Sequence, residues 1–171
     1  FALPYYWAIN KDKDLTFTPK IYSNDNPLIL NEYRQAYRNA FLILDTSYTE
    51  GYKNPTKTET DGSRSHIFGN LDIKFSEDKS YKSNLTLKVQ QTSNDTYFRK
   101  HDINTKLVKS EDTDLENELK YSFSNADTYF NISASSFQNL RNKKKSDQYE
   151  FVLPNIMYGK TFFTEKFGSF N

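Results

Sequence analysis

No cysteine occurs in the 171 residues, which excludes disulfides, thiolate metal sites and cysteine nucleophiles. No stretch approaches the roughly 20 apolar residues that a membrane-spanning helix needs. That absence excludes a helical membrane protein and leaves a barrel one open, because strands cross by alternation rather than by a continuous apolar run. No basic-plus-apolar leader stands at the N-terminus. An excess of one charge sign is missing too: 23 basic residues face 22 acidic ones, a net of +1. A nucleic-acid binder normally carries a basic excess, so nucleic acid is not an expected partner. His66 and His101 are the only histidines, and neither has a His, Asp or Glu partner at metal-ligand spacing. There is no Gly-x-Ser-x-Gly elbow, phosphate loop or dinucleotide fingerprint. The expectation is a protein with no enzymatic chemistry, no bound metal and no cofactor.

Aromatics are what the chain has instead. Only 36% of residues are hydrophobic and mean hydropathy is −0.85, yet 14 Phe, 13 Tyr and one Trp make up 16% of the chain. A disordered chain is poor in aromatics, and a soluble globule usually has more aliphatic core. Alternating barrels with a wet lumen, a lipid-facing exterior and aromatic girdles give this mixture.

Period-2 alternation recurs almost throughout. Leu115, Leu119, Tyr121 and Phe123 share one face, and Asp114, Glu116, Glu118, Lys120 and Ser122 the other. Ile67, Gly69, Leu71, Ile73 and Phe75 alternate with Phe68, Asn70, Asp72 and Lys74, as do Leu85, Leu87 and Val89 with Thr86, Lys88 and Gln90. Looser alternation covers 14–22, 28–37, 40–49, 127–137 and 148–158, and the opening 1–9 also reads as a strand. Turn-forming clusters at 10–13, 23–27, 77–80, 124–126 and 139–146 separate these runs, with longer polar connections at 50–65 and 92–112. The pattern predicts an all-β antiparallel meander of about nine strands, each long enough to cross a bilayer core at a tilt. A soluble sandwich shares the alternation, but its strands average nearer five or six residues. Phe1 stands in mid-pattern and Gly168-Ser169-Phe170-Asn171 reads as a strand just beginning. Residues 1–171 are thus expected to be one partial barrel domain.

Several residues carry more specific expectations. Pro4 and Pro19 flank the turn at 10–13, so a hairpin places them at the same end of adjacent strands. Each removes one ladder donor, a net loss of about 0.5–1.5 kcal/mol, and more in lipid, where water cannot compensate. The plainer reading has Pro4 start a strand and Pro19 mark a bulge. Tyr5, Tyr6 and Trp7 cannot all point into one core from a strand, and a membrane-interface belt accommodates them. Asp112, Asp114, Glu116, Glu118 and Lys120 are candidates for lining a hydrophilic lumen. Ser93, Asp95 and Tyr97 open a connection rich in side chains that bond their own backbone. It reads either as a well-formed turn or as an ordered loop against a lumen. Lys143, Lys144 and Lys145 suit anionic lipid phosphates or a solvated loop. The three Asn-x-Ser/Thr matches at Asn84, Asn94 and Asn131 read as chance.

Leu3-Pro4-Tyr5-Tyr6-Trp7, followed by Asp14-Leu15-Thr16-Phe17-Thr18-Pro19-Lys20-Ile21-Tyr22, resembles the start of the barrel domain of the outer-membrane lipopolysaccharide-assembly family LptD. The same family is called organic solvent tolerance protein A. Asn31-Glu32-Tyr33-Arg34, Ser93-Asn94-Asp95-Thr96-Tyr97-Phe98-Arg99 and Gln138-Asn139-Leu140 with Tyr149-Glu150-Phe151-Val152-Leu153-Pro154 are similar to later family elements, in the same order. Asn94 stands where the family has an acidic residue. The family's periplasmic jelly-roll domain, its disulfide cysteines and its closing barrel strand have no counterpart in these residues.

The resemblance implies a segment of a large transmembrane barrel in the outer membrane of a Gram-negative bacterium. Lipopolysaccharide would pass through its lumen and leave through a lateral gate whose prolines are Pro4 and Pro19. Outer-membrane lipid, a plug lipoprotein inside the lumen and periplasmic lipopolysaccharide-bridge proteins would be its partners. Two alternatives remain: a complete small eight-stranded barrel acting as anchor or adhesin, and a soluble carbohydrate-binding β-sandwich. With Pro4 starting from the periplasm, strand parity puts both long connections on the periplasmic side, where outer-membrane barrels usually keep short turns.

Overall fold

The computed structural model describes residues 1–23, 25–51, 62–77, 80–141, 149–164 and 168–170. Nine strands form one sheet in sequence order: β1 (Tyr5–Asn10), β2 (Lys13–Lys20), β3 (Leu28–Ala36), β4 (Ala40–Thr49), β5 (Arg64–Glu77), β6 (Tyr81–Thr92), β7 (Asp114–Asn125), β8 (Thr128–Asn139) and β9 (Tyr149–Lys160). Every neighbouring pair is antiparallel. The all-β meander is as the alternation predicts. β1 and β9 are the edges of the sheet. A separate hairpin pairs β10 (Phe162–Thr164) with β11 (Gly168–Phe170). One helical turn, α1 (Tyr97–Lys100), interrupts the connection between β6 and β7. Lys143, Lys144 and Lys145 lie outside the described residues.

The two ends of the sheet differ in how they are connected. At one end, connections of two or three residues join the strands: 11–12, 37–39, 78–80 and 126–127. Side-chain carbonyls shape two of them. Asn125 Oδ1 accepts from the Asp127 and Thr128 N–H groups, at 3.1 and 2.6 Å, and Asn10 Oδ1 accepts from Lys11 N–H at 2.8 Å. At the other end, the end of Pro4 and Pro19, lie the longer connections 21–27, 50–63, 93–113 and 140–148. The strand parity read from the sequence therefore holds.

Through the middle of the sheet the registers separate its two faces, with shifts between Ala8 and Asn10, Lys74 and Ser76, and Ser133 and Ser135. One row reads Ala40, Ile73, Leu85, Tyr121, Ile132, Ile156. The adjacent row, on the opposite face, reads Phe41, Asp72, Thr86, Lys120, Ser133, Asn155. Toward the proline end the polar face continues with Thr16, Glu32, Asp45, Phe68 and Gln90. Such alternation is what a sheet with two different surroundings requires.

Burial is distributed against the usual rule. The apolar face is open: Leu119 is 51% exposed and Ile156 61%. The buried hydrophobic cluster lies at the proline end, where the connection 93–113 contributes Tyr97, Ile103 and Val108 against Leu28 and Phe68 of the polar face, together with Leu115 and Leu140. Several buried residues of the sheet are polar: Asp45, Ser47, Thr49, His66, Gln90 and Gln138.

Candidate functional site

At the proline end of the β1–β2 hairpin the ladder is incomplete. The backbone nitrogen of Phe1 donates to the Ile21 carbonyl (3.0 Å), and Ile21 N–H donates back to the Phe1 carbonyl (2.8 Å). Two residues on, Leu3 N–H donates to the Pro19 carbonyl (3.2 Å), but Pro19 has no N–H to return. The Leu3–Pro19 pair thus has one bond where an antiparallel pair of this kind has two. For that reason β1 begins at Tyr5 and Ala2↔Lys20 stands as an isolated bridge.

Pro4 acts elsewhere. Along a strand, successive residues turn their N–H and C=O groups to alternate sides. Phe1 and Leu3 turn theirs toward β2, so Pro4 faces the free edge of β1. The two losses fall on different ladders: Pro19 removes a donor from the β1–β2 ladder, and Pro4 removes one from the outer edge. The two prolines do lie at the same end of adjacent strands.

Tyr5 and Trp7 pair with Phe17 and Leu15 on the apolar face, whereas Tyr6 pairs with Thr16 on the polar face. A belt on the apolar face can therefore draw only Tyr5 and Trp7 from this trio. At the opposite end of the sheet, sequence reasoning missed a larger aromatic group. Ring centroids lie 6.5 Å apart for Phe75 and Tyr121, 5.9 Å for Tyr81 and Phe123, and 6.3 Å for Tyr121 and Phe130. The signal was available: Phe75 and Tyr81 flank one short connection, Phe123 and Phe130 another.

Of the acidic residues assigned to a lumen, Glu118 lies opposite Lys88 on the polar face, and Glu116 accepts from Lys88 Nζ at 2.6 Å. Lys120 stands between Thr86 and Ser133. Asp114 opens β7, accepting from Asn139 Nδ2 (2.8 Å) and Thr113 Oγ1 (2.7 Å). Asp112 precedes the strand and accepts from Lys109 N–H. The charges of this face are therefore of both signs, and pairs across strands partly neutralise them.

The connection 93–113 settles on the polar face through its own turn chemistry. Asn94 Oδ1 accepts from Thr96 N–H and Oγ1 (3.1 and 2.9 Å), and Ser93 Oγ accepts from Ser65 N–H at 2.9 Å. Asp95 lies in the turn just before α1. Tyr97 is then driven inward, to 1% exposure. Its hydroxyl meets Ser47 Oγ at 2.7 Å, and the same oxygen bonds His66 Nδ1. Burial pushes the Tyr97 hydroxyl up to about 12 and pushes the His101 imidazole down from its usual value. His66 stacks on Phe68 with centroids 4.3 Å apart.

Cations fasten the rest of the connection. Lys20 Nζ donates to the carbonyls of His101 and Asp102, both at 3.2 Å, and Lys106 Nζ lies 2.8 Å from Glu32. Arg34 and Asp14, 2.9 Å apart, continue the charged row on the sheet. Asp45, Ser47 and His66 were not legible as a group, because their pairing depends on the β4–β5 register and on a connection distant in sequence.

Among the described residues no three His, Asp or Glu side chains come together in a way that could hold a metal ion, and no helix is long and apolar enough to cross a membrane. No family model matches this sequence, and no curated protein matches it.

Proposed function

We propose that this sheet is a wall segment of a large transmembrane β-barrel in a Gram-negative outer membrane, and that it serves lipopolysaccharide translocation. Its polar face lines the passage for the sugar headgroup and its apolar face meets lipid. The β1 edge forms one side of a lateral opening for the acyl chains. The observation that carries this reading is the inverted burial: rows of Leu, Ile and aromatic side chains stand exposed, while the face that gains cover is polar. In water such an apolar surface is a liability; against lipid it is the expected exterior of a barrel, with Tyr and Phe near the short connections as one girdle.

The prolines fit the opening. A strand pairing with the free edge of β1 finds no donor at Pro4, and the next ladder inward lacks the Pro19 donor. Hydrogen bonds of this kind contribute about 0.5–1.5 kcal/mol each, and the unpaired groups cost more in lipid. The cargo comes from the sequence resemblance to LptD, as do the partners: a plug lipoprotein in the lumen and periplasmic bridge proteins. The alternatives have less support. A complete small barrel needs β1 paired to β9, and both strands are edges. A soluble sandwich needs its apolar face dry, and that face is exposed.

Replacing Pro4 and Pro19 by alanine in the full-length protein tests the reading. Restored donors are expected to close the seam and slow the arrival of lipopolysaccharide at the cell surface. Unchanged export at equal protein level counts against the gate.

A further inference from the structure

The connection 93–113 roofs a cavity of about 290 Å³ on the polar face, over β2–β5. Two side chains in its walls are buried and incompletely bonded. Asp45 and His66 are each 4% exposed, and Asp45 Oδ2 and His66 Nε2 have no hydrogen-bond partner among the described residues. Ser47 lies opposite His66 and Asp45 opposite Phe68, so Asp45 and His66 are diagonal neighbours on one face, about 7–8 Å apart by sheet geometry. Leaving two such groups unpaired costs stability unless something occupies the space between them.

Either oxygen of the Tyr97–Ser47 pair can donate, and the arrangement that leaves no buried hydroxyl proton without a partner assigns what each group offers. Tyr97 keeps its hydroxyl proton, and Ser47 Oγ is its hydrogen-bond partner among the described residues. With Tyr97 donating to Ser47, the Ser47 proton goes to His66 Nδ1, which leaves the imidazole proton on Nε2. The cavity therefore presents one N–H donor and one carboxylate acceptor. Thr16 and Thr18 line the same space, with Leu30 and Ile103 as apolar wall.

An anion does not suit this lining. Asp45 and Asp102 line it beside Lys20, whose ammonium already serves the backbone carbonyls of His101 and Asp102, while Lys106 and Arg34 are engaged by Glu32. A polyol suits it: one hydroxyl oxygen accepts from Nε2–H while a neighbouring hydroxyl donates to Asp45, and the C–H face rests on Leu30 and Ile103. We propose that this cavity is a binding site for a single neutral sugar ring, held between Asp45 and His66 beneath the 101–105 segment. The volume lies at the small end of ligand sites, which limits the occupant to about one ring. The ring comes either from a lipid-linked saccharide or from a free sugar; the first source rests on the function proposed above, the second does not.

Saturation-transfer NMR on the protein refolded in detergent micelles tests the site. The probes are D-glucose, D-galactose, N-acetyl-D-glucosamine and a delipidated lipopolysaccharide core oligosaccharide. Transfer to at least one probe is expected, together with a shift of the His66 ring resonances, which needs no variant. His66→Phe, which keeps the stack on Phe68, and Asp45→Asn are each expected to weaken binding at least tenfold, with Ser133→Ala binding as the parent. A response to the core oligosaccharide alone assigns the ring to a lipid-linked saccharide, and an equal response to a monosaccharide assigns it to a free one. No transfer and no His66 shift with any probe overturns the site, the cavity then holding water only. So does transfer unchanged in both variants. Insertion of the same protein into sugar-free lipid vesicles reads the barrel proposal separately, so either can fail alone.

Discussion

The two faces of the sheet are built on the same strands, yet they answer to different surroundings. On one, Leu87 and Leu119 sit side by side, 39% and 51% exposed among the described residues. On the other, one row away, Thr86 and Lys120 face a surface that toward the proline end is roofed by a connection with its own hydrophobic cluster. Stability at the roofed corner comes from packing within the chain. Along the apolar face no described side chain covers those rows, and the proposed function assigns that cover to lipid. A substitution should therefore have opposite consequences depending on face and solvent, and this contrast is where the account can be broken.

The largest effect is expected at the roof. Tyr97→Ala removes the largest fully buried side chain of the cluster and leaves the Ser47 and His66 pair open, at a cost of about 3–5 kcal/mol. Urea unfolding in detergent, followed by the protection of β4 and β5 amides, measures it; a cost under 1 kcal/mol would mean that the connection does not pack as described.

Next comes the apolar face. Leu119→Lys in a lipid bilayer is expected to cost about 2–4 kcal/mol, the range for a charge at mid-depth on a barrel exterior. Ser133→Lys on the polar face should lie within about 0.5 kcal/mol of the parent. Equal, small effects at both sites would remove the distinction between the faces.

A smaller effect sharpens the proline comparison. Pro19→Ala restores a donor to the Leu3 carbonyl and is expected to strengthen the hairpin by about 0.5–1.5 kcal/mol, read as slower exchange of the Leu3 and Tyr5 amides. Pro4→Ala alone should leave that ladder unchanged, because its N–H points to the free edge. Smaller still is Lys106→Ala, which breaks a largely exposed ion pair with Glu32 worth about 0.2–1 kcal/mol, measurable by a double-mutant cycle.

The roof also has an alkaline signature. The folded Tyr97 hydroxyl titrates near 12, above the ordinary 10.0 of an unfolded tyrosine. Its burial therefore stabilises fully below pH 10 and is lost as pH rises through 12. Amides of 93–113 should lose protection across that window in the parent, and Tyr97→Phe should lack this contribution; an identical profile in the variant would refute the assignment.

Much of the sheet was legible because alternation is a local property. Leu85, Thr86, Leu87, Lys88 and Val89 declare both faces within five residues, and the strand they mark is real. Strand ends were less legible: β5 extends to Arg64 and Glu77, past the apolar alternation, because ladder bonds do not need apolar side chains. The hairpin geometry placed Pro4 and Pro19 at one end, but not the side to which each missing donor points, which depends on the parity of the Phe1–Ile21 and Leu3–Pro19 bonds. Least legible was the roofed corner. Asp45, His66 and Tyr97 come from three segments, and a histidine without a near-sequence partner gives no sign that a serine across the sheet and a tyrosine from α1 will complete it.

The absence of cysteine makes the central claim directly measurable, since a single introduced thiol is unique in the chain. Spin labels at Leu119→Cys and Lys120→Cys, adjacent residues on opposite faces, can be compared in lipid vesicles for collision with oxygen and with a water-soluble nickel chelate. The account predicts that the label at 119 meets oxygen and is shielded from nickel, and that the label at 120 shows the reverse. Equal access of nickel to both positions would contradict it.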